Sequence, residues 1–539
     1  MVKRLLELES AGGCPLPRMH SVASHRGEGR GAAVVGPVAA EHRFDLRVHD
    51  NPFAERSAGS SPRAPRPFSS KVRRLTALSF ALTLSACTVG PDHVRPDTPQ
   101  AAAFVEGKTE GYQVKPVGTA LWASFNEPEL DLLIERALAA NTDIAQAVAR
   151  LDSTRALAGL TFFSWFPTVT ASADAERSDP SGEDPFIPSD QGRTDTYRAG
   201  FDATWEIDLF GSLRRQSEAI YRRVDADTAA LQAVQLSIIA ETAQSYFALR
   251  GTQARLRVQE KNVENLSENL SILRKQLEAG RGTELDVSRS NALGLSVASQ
   301  VPLTRSEVAR QEQRLATLTN WPVATLREKL APHKALPALP TLVAIGTPEE
   351  WLQRRPDVRE AEMRLAEEVS NIGVETAEFF PKLTLLGGFG ATAQSFGDLA
   401  DSSAQRFRFG PSLSWSFLDV GRVRQRVLSQ RATADGALAA YQGAVLRALE
   451  ETENALAAYR AANESAQALD MAVEASRKAV ELAKLRYDAG ASDFLTLLDA
   501  ERSLLDFEDR AAEAATRRAT ALAALYKALA GDFARGDAE

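Results

Sequence analysis

The feature that most constrains the fold is an internal repeat, because most of the chain contains the same sequence pattern twice. The first part of the pattern recurs at an offset of 214 residues and the later part at an offset of 210. The matching residues are Phe166-Pro167 with Phe380-Pro381, Trp205 with Trp415, Gly211 with Gly421, and Ala279-Gly280 with Ala489-Gly490. A register kept over such a length with a single small shift indicates a duplication, so each copy is expected to form the same supersecondary unit.

Each copy contains two segments in which apolar and polar residues alternate. These segments span about 167–176 and 197–209 in the first copy, and about 381–391 and 407–418 in the second. Strands of about ten residues with one apolar face are typical of a transmembrane barrel, with lipid on one side and water on the other. A half-buried soluble hairpin would give the same pattern in any one segment. Four such strands with aromatic residues near their ends favour the membrane interpretation.

The strand pairs alternate with long helices. The stretches from Ser212 to Glu278 and from Arg422 to Asp488 are each 67 residues without proline, or roughly 100 Å as a helix. Shorter helices are expected on the return, at 284–319 and 493–530, and before the strands, at 127–165 and 348–380. Two short helices stacked end to end match one long helix and can pack along it. The segments left over, 320–347 and about 92–126 with the C-terminus, are expected to form a belt at mid-height.

Four strands cannot close a barrel within one chain. An open sheet edge in lipid would leave backbone groups without hydrogen-bond partners. The chain must therefore oligomerise if its strands span a bilayer. Three copies would give twelve strands around a wide lumen, whereas two copies would give eight strands with an interior filled by side chains.

A short segment before the repeats resembles a bacterial lipoprotein signal. Basic residues at 71–74 precede the apolar run from Leu75 to Leu84, and Ser85-Ala86-Cys87 follows. This order predicts cleavage before Cys87 and attachment of lipid to that cysteine. A buried helix with an ordinary cysteine is the alternative. By resemblance to sorted lipoproteins, Thr88 at the next position favours the outer membrane. Residues 1–70 precede the signal and are interpreted as an over-extended gene model or a disordered extension.

The composition excludes several classes of function. With 63 Lys+Arg against 71 Asp+Glu the formal net charge is −8, so a nucleic-acid partner is not expected. The sequence has only two Cys and six His, which argues against a metal site, His-based catalysis or a disulfide framework. We expect no enzymatic activity, no catalytic residues and no cofactor apart from the covalent lipid on Cys87. No apolar run reaches the ~18 residues of a membrane-spanning helix.

Several motifs resemble those of one known family. They are Gln353-Arg354-Arg355-Pro356-Asp357-Val358, then Asn371-Ile372-Gly373, Glu378-Phe379-Phe380-Pro381, Trp415-Ser416-Phe417-Leu418-Asp419, Tyr487-Asp488-Ala489-Gly490 and Leu525-Tyr526-Lys527-Ala528-Leu529. Their order from Cys87 to about Phe533 is similar to that of the outer membrane factor lipoproteins of tripartite efflux systems of the resistance-nodulation-division (RND) type, which are TolC-like and include the NodT family. The resemblance departs at Thr319-Asn320-Trp321-Pro322 and at the C-terminal end, both within the predicted belt.

The resemblance implies an α+β membrane protein with the TolC-like outer membrane efflux fold. Four strands from each chain would complete a trimeric twelve-stranded β-barrel, above a long periplasmic α-helical barrel with a mid-height belt. The implied partners are two further copies in a homotrimer, a periplasmic adaptor protein, an inner-membrane RND-type transporter and outer-membrane lipid. The implied location is the bacterial outer membrane, lipid-anchored and spanning, with an extension into the periplasm.

The resemblance also assigns roles to the two helical breaks at 279–286 and 489–496. The turns would be tips that contact the adaptor, through Gly280, Arg281, Thr283, Gly490, Ala491 and Ser492. The periplasmic gate would be formed by Leu495 and Asp499, as narrow apolar and acidic rings, with Tyr487 and Asp286 as partners that tie neighbouring hairpins shut. A simple alternative is that the glycines only end helices and that Asp499 is an exposed helical carboxylate.

These observations predict a passive outer-membrane exit duct for drugs or other small toxic compounds. Two alternatives remain open: a type I protein-secretion duct, and a periplasmic helical scaffold lipoprotein that does not span the membrane. The predicted organisation is an extension (1–70), a signal peptide (71–86), an N-terminal periplasmic and belt segment (87–126), a first repeat (127–319), a belt linker (320–347), a second repeat (348–530) and a C-terminal tail (531–539).

Overall fold

The computed structural model describes residues 88–97, 103–108, 112–113, 122–179, 193–330, 334–340 and 343–530. All of these belong to one compact unit, Ser70–Glu539. Residues 1–70, the predicted signal, Cys87 and the C-terminal tail at 531–539 lie outside the described residues.

The helices and strands follow the predicted order. The α-helices are α1 (Pro128–Ala140), α2 (Thr142–Phe163), α3 (Ser212–Glu278), α4 (Glu284–Ala298), α5 (Gln300–Thr319), α6 (Val323–Lys329), α7 (Pro348–Arg354), α8 (Pro356–Ala377), α9 (Val420–Asp488) and α10 (Phe494–Ala528). The strands are β1 (Tyr112–Gln113), β2 (Thr168–Ser178), β3 (Thr194–Ile207), β4 (Val343–Ala344), β5 (Lys382–Ala393) and β6 (Gln405–Ser414).

The two long helices dominate the structure, and α3 has the predicted bounds. Its start is fixed by the carboxylate of Asp208, which accepts hydrogen bonds from the backbone N–H of Leu213 at 3.3 Å and of Arg214 at 3.0 Å. These N–H groups have no partner within the helix, so the carboxylate satisfies them and opposes the positive end of the helix dipole. The second long helix begins two residues earlier than predicted, at Val420, and spans 69 residues.

Three predicted helices are interrupted, and the predictions of single helices at 127–165, 284–319 and 348–380 were wrong. Asn141 separates α1 from α2, because its side chain accepts hydrogen bonds from the N–H groups of Asp143 and Ile144 and so starts a new helix. Arg355 separates α7 from α8 with extended backbone, as expected for a residue before proline. The break at Ser299 lies just before Pro302, which cannot donate to the preceding turn.

Four strands form one antiparallel sheet in the order β2-β3-β5-β6. Phe201 lies opposite Phe389, which lies opposite Phe407, so aromatic residues from three strands share one face. The predicted alternation is therefore confirmed. The fourth strand was predicted to continue to 418 but ends at Ser414, and a short 3₁₀ turn follows at Phe417–Asp419.

The short helices pack along the long ones. Helix α3 contacts α2, α4 and α5 of its own repeat and also α8 and α10 of the second repeat, whereas α9 contacts α8 and α10. The two repeats are therefore joined side by side through α3. No helix in the described residues has both the length and the apolar composition that crossing a membrane requires.

The largest core lies near the middle of α3, where the predicted belt segments pack. The ring centroid of Phe125 lies 4.7 Å from that of Phe247 in α3, and the Trp122 ring lies 5.9 Å from that of Tyr526 in α10. Strands β1 and β4 pair in parallel and join the segment before α1 to the linker before α7. Burial of these large aromatic side chains stabilises the packing of these segments against α3 and α10.

Candidate functional site

The sheet presents two chemically different faces. On one face Phe201, Phe389 and Phe407 are exposed by 59%, 61% and 85%. On the other face the guanidinium of Arg408 lies 3.1 Å from the carboxylate of Asp202, and Arg198 lies 3.2 Å from Asp174. An apolar exposed face suits lipid, and a face of paired charges suits water. The sheet thus has the surface of one part of a barrel wall.

The helix-to-strand turns are fastened in the same way in both repeats. The indole N–H of Trp205 donates to the backbone carbonyl of Trp165 at 3.0 Å, and that of Trp415 donates to the carbonyl of Phe379 at 3.1 Å. A tryptophan at the edge of the apolar face can place its ring near lipid and its N–H near polar groups. These contacts therefore mark the end of the sheet that meets the helices.

The opposite ends of the long helices carry the predicted tips, and both turns use the same backbone motif. Gly280 and Gly490 have positive φ values of 73° and 68°. After the first glycine the N–H of Arg281 donates to the carbonyl of Gln276 at 2.8 Å, and after the second the N–H of Ala491 donates to the carbonyl of Arg486 at 2.8 Å. This is the Schellman arrangement, in which a left-handed residue ends a helix and satisfies its last carbonyls.

The helices that leave the tips are capped by the same two residue types in exchanged positions. In the first tip Thr283 is the cap and its hydroxyl donates to Asp286 at 2.7 Å. In the second tip Asp493 is the cap and accepts from the hydroxyl of Thr496 at 2.6 Å. These hydrogen bonds hold the pKa of Asp493 below its usual value, with a smaller contribution from the charge of Arg289. Each turn is therefore fastened by hydrogen bonds on both sides.

The two tips pack against each other. A small buried cluster joins Leu273 and Val287 of the first hairpin to Phe494, Leu497 and Leu498 of the second. Tyr487 lies at its edge, with its ring centroid 5.7 Å from that of Phe494. Separation of the hairpins would expose this cluster to water, so the cluster favours the closed arrangement.

The predicted gate residues lie around this cluster. The hydroxyl of Tyr487 donates a hydrogen bond to the side-chain oxygen of Gln276 at 3.5 Å. The carboxylate of Asp286 instead accepts one from the hydroxyl of Thr283. Burial raises the pKa of Tyr487, and the negative charge of Asp286 raises it further. The structure thus places Tyr487 between the two hairpins, with Gln276 as its hydrogen-bond partner.

Leu495 and Asp499 are both exposed and lie four residues apart, on one face of α10. The buried side chains of Phe494, Leu497 and Leu498 lie on a different face of the same helix. The counterparts of Leu495 and Asp499 in the first repeat, at the offset of 210, are Leu285 and Arg289. Only the second tip therefore carries the apolar and acidic pair. The remaining tip residues Arg281, Thr283 and Ala491 are exposed, and Ser492 is half-buried.

Sequence reasoning recognised the Arg-Pro-Asp motif but did not predict what Arg355 contacts. Its guanidinium donates to Asp357 at 2.7 Å, to Glu451 of α9 at 2.6 Å and to the carbonyl of Ala528 at 3.1 Å. Burial alone would raise the pKa of Asp357, but the hydrogen bonds and charge of Arg355 outweigh it and lower the pKa. The motif ties the start of the second repeat to α9 and to the end of α10. Within the described residues, no cluster of His, Cys, Asp and Glu is placed to hold a metal ion.

Comparison with known proteins agrees with the family resemblance of the sequence motifs along most of the chain. A family model for outer membrane efflux proteins matches residues 133–320 and 347–531. The chain is 31% identical over 432 residues to nodulation protein T of Rhizobium leguminosarum bv. trifolii, covering 80% of this chain and 91% of the relative. It is 33% identical over 472 residues to the pyoverdine export outer membrane protein OpmQ of Pseudomonas putida, covering 86% and 98%.

Solved structures share the fold. The outer-membrane channel OprN superimposes with a TM-score of 0.78 at 40% identity, over 83% of this chain and 99% of that one. The open state of the MtrE outer membrane channel of Neisseria gonorrhoeae gives a TM-score of 0.73 at 30% identity, over 83% and 98%. The chain therefore belongs to the outer membrane efflux protein family, and it serves as a passive outer-membrane exit duct of an efflux pump rather than as an enzyme.

Proposed function

We propose that three copies of the chain form a tripartite efflux duct that is closed at its periplasmic tips by Leu495 and Asp499. The observation that carries the number of copies is the four-stranded sheet. Strands β2 and β6 are its edges, and each pairs with one strand of this chain. In lipid the outer backbone groups of both edges need partners, which neighbouring copies can supply. Three copies make a barrel of twelve strands with an open lumen.

The gate follows from the same symmetry. A three-fold axis repeats every exposed side chain of the tips three times around the lumen. On this arrangement Leu495 forms an apolar ring and Asp499 forms an acidic ring one helical turn away. The apolar ring excludes water, and the acidic ring attracts cations. Tyr487 keeps the two hairpins of each chain together, with Asp286 beside it.

The partners are those that a duct of this shape requires. An adaptor protein would contact the exposed tip residues, among them Arg281 and Ala491, and an inner-membrane transporter of the RND type would load the duct. Small organic compounds are the proposed cargo, and the duct itself needs no cofactor. Lipid on Cys87 would attach each chain to the outer membrane.

A matched pair of leucine variants tests the gate. The full chain is reconstituted in planar bilayers, and single-channel conductance is measured for Leu495→Ser and for Leu285→Ser. Both leucines are exposed, by 47% and 56%, and both lie in the second position of the helix that leaves a tip. We expect a higher conductance for Leu495→Ser alone. Equal conductance in the two variants and the unchanged chain would rule out a gate at Leu495.

A further inference from the structure

The first described residues of the chain are bound where the sheet meets the helices. The N–H of Val89 donates to the carbonyl of Phe210 at 3.2 Å, at the turn that leads from β3 into α3. Residues 88–92 directly follow the predicted lipidation cysteine. Their fixed position is unexpected for a linker behind a lipid anchor, because such linkers are often mobile.

A single buried arginine makes most of the polar contacts to this segment. The side chain of Arg215 is 5% exposed. Its Nε donates to the carbonyl of Val89 at 3.1 Å, and its Nη2 donates to the carbonyl of Gly90 at 3.2 Å and to the carboxylate of Asp92 at 2.7 Å. The same guanidinium also donates to the carboxylate of Glu218 at 2.8 Å. The fork of the guanidinium is thus directed at two successive backbone carbonyls, which lysine could not match.

Three glycines allow the close approach. Gly90 has a φ of +98°, and a Cβ there would lie 2.4 Å from the Cα of Gly373 in α8. A Cβ at Gly373 would lie 2.7 Å from Cγ of Arg215. A Cβ at Gly211 would lie 2.8 Å from Cγ2 of Thr88. All three distances are too short for a side-chain carbon, so the segment fits only where glycine is present.

The internal repeat shows that this site is particular to one repeat. The counterparts of Gly373 and Gly211 are Gly159 and Gly421, and within the described residues nothing lies within 4 Å of a Cβ added to either. The counterpart of Arg215 is Gln425, which lacks both the charge and the fork. The duplicated fold therefore keeps the glycines in both places, but the arginine stands only where the N-terminal segment binds.

We propose that Arg215, Gly211 and Gly373 form a seat for residues 88–92, and that Arg215 positions the lipid anchor relative to the sheet. The seat begins one residue after Cys87, so an anchored chain has almost no slack between the lipid and the end of β3. A short tether keeps the effective concentration of the two membrane attachments high, whereas a released segment would act as a flexible linker. This coupling rests on the lipidation of Cys87 proposed above, but binding of the segment does not.

Hydrogen exchange of the Val89 amide measures occupancy of the seat directly. In the purified full chain we expect Arg215→Gln, which introduces the residue of the other repeat, to speed this exchange by about tenfold or more, because charged hydrogen bonds are lost. Gly373→Ala should do the same, while its matched control Gly159→Ala should not. Unchanged exchange in Arg215→Gln and Gly373→Ala, or an equal rise in Gly159→Ala, would overturn the seat.

The link to the anchor is tested by combining Arg215→Gln with Cys87→Ser and measuring the yield of assembled oligomer in the membrane. If the seat acts through the lipid, the double variant should lose no more assembled oligomer than the single variants do. Both substitutions would then disable the same attachment of the chain to the membrane. If the fractional losses of the two single variants multiply in the double variant, Arg215 has a structural role only and the coupling is overturned. Mass spectrometry of the unchanged chain reports the lipid itself. A lipid-free chain with a protected Val89 amide would refute the proposed anchor while leaving the seat intact.

Discussion

Replacement of Phe201 by arginine should prevent the sheet from entering a membrane. Phe201 lies at the middle of β3, between Ala171 and Phe389 on the neighbouring strands, and is 59% exposed on the apolar face. Arginine at this position would put a charge into lipid. Thr204 lies three residues further along the same strand and points to the opposite face, so Thr204→Arg would put the same charge into water.

The free-energy cost of the added charge on each face decides the outcome. A charged side chain on the lipid face costs about 2 to 4 kcal/mol at the centre of the bilayer. In a trimer the substitution occurs three times, and the total of about 6 to 12 kcal/mol is similar to the whole stability of many proteins. A substitution on the water face usually changes stability by about 0.5 kcal/mol or less. We therefore expect Phe201→Arg to abolish the assembled oligomer and Thr204→Arg to leave most of it.

The assay is the yield of heat-modifiable oligomer in outer-membrane fractions, compared at equal expression of the two variants. Circular dichroism of the purified chains checks that the helices still form. If both variants assemble equally, or if Thr204→Arg is the more damaging one, the assignment of the lipid and water faces is wrong.

Three further outcomes can be checked in the same preparations. Tyr487→Phe should raise single-channel conductance, because it removes the hydroxyl that bonds Gln276 between the hairpins; unchanged conductance would refute this role. Asp499→Ala should reduce cation selectivity and block by multivalent cations, and an Asp499 that only faces solvent would leave both unchanged. Burial raises the pKa of Glu501, so the folded chain binds this proton more tightly and stability falls as pH rises above the ordinary value of 4.5. Glu501→Gln should therefore raise the melting temperature at pH 7, and a lower melting temperature would contradict this reasoning.

The sequence predicts the elements whose cause is local. Helix α3 is found as predicted because its 67 residues lack proline and because Gly280 can adopt the positive φ that ends it. The alternation in β3 predicts its faces because successive side chains on a strand point to opposite sides. The order of the elements follows from the repeat, which needs no knowledge of packing.

The missed features depend on residues far apart in the chain. Asn141 interrupts a helical pattern because it caps α2 and also donates to the carbonyl of Leu318, 177 residues away. Arg215 and Arg355 look like ordinary helical arginines, but their partners lie 125 and 173 residues away. The signal that could have found Arg215 is its difference from Gln425, because duplicated positions differ where only one copy has a partner.

Closure of the sheet by three copies is the central claim, and cross-linking of its two edges tests it most directly. Cysteines at Thr170 of β2 and Ser412 of β6 would face the water side of the two edge strands. A flexible bis-maleimide applied to intact membranes should join edge to edge, and the largest covalent species should contain three chains. Absence of any edge-to-edge product, or a series that ends at two chains or continues beyond three, would contradict the account.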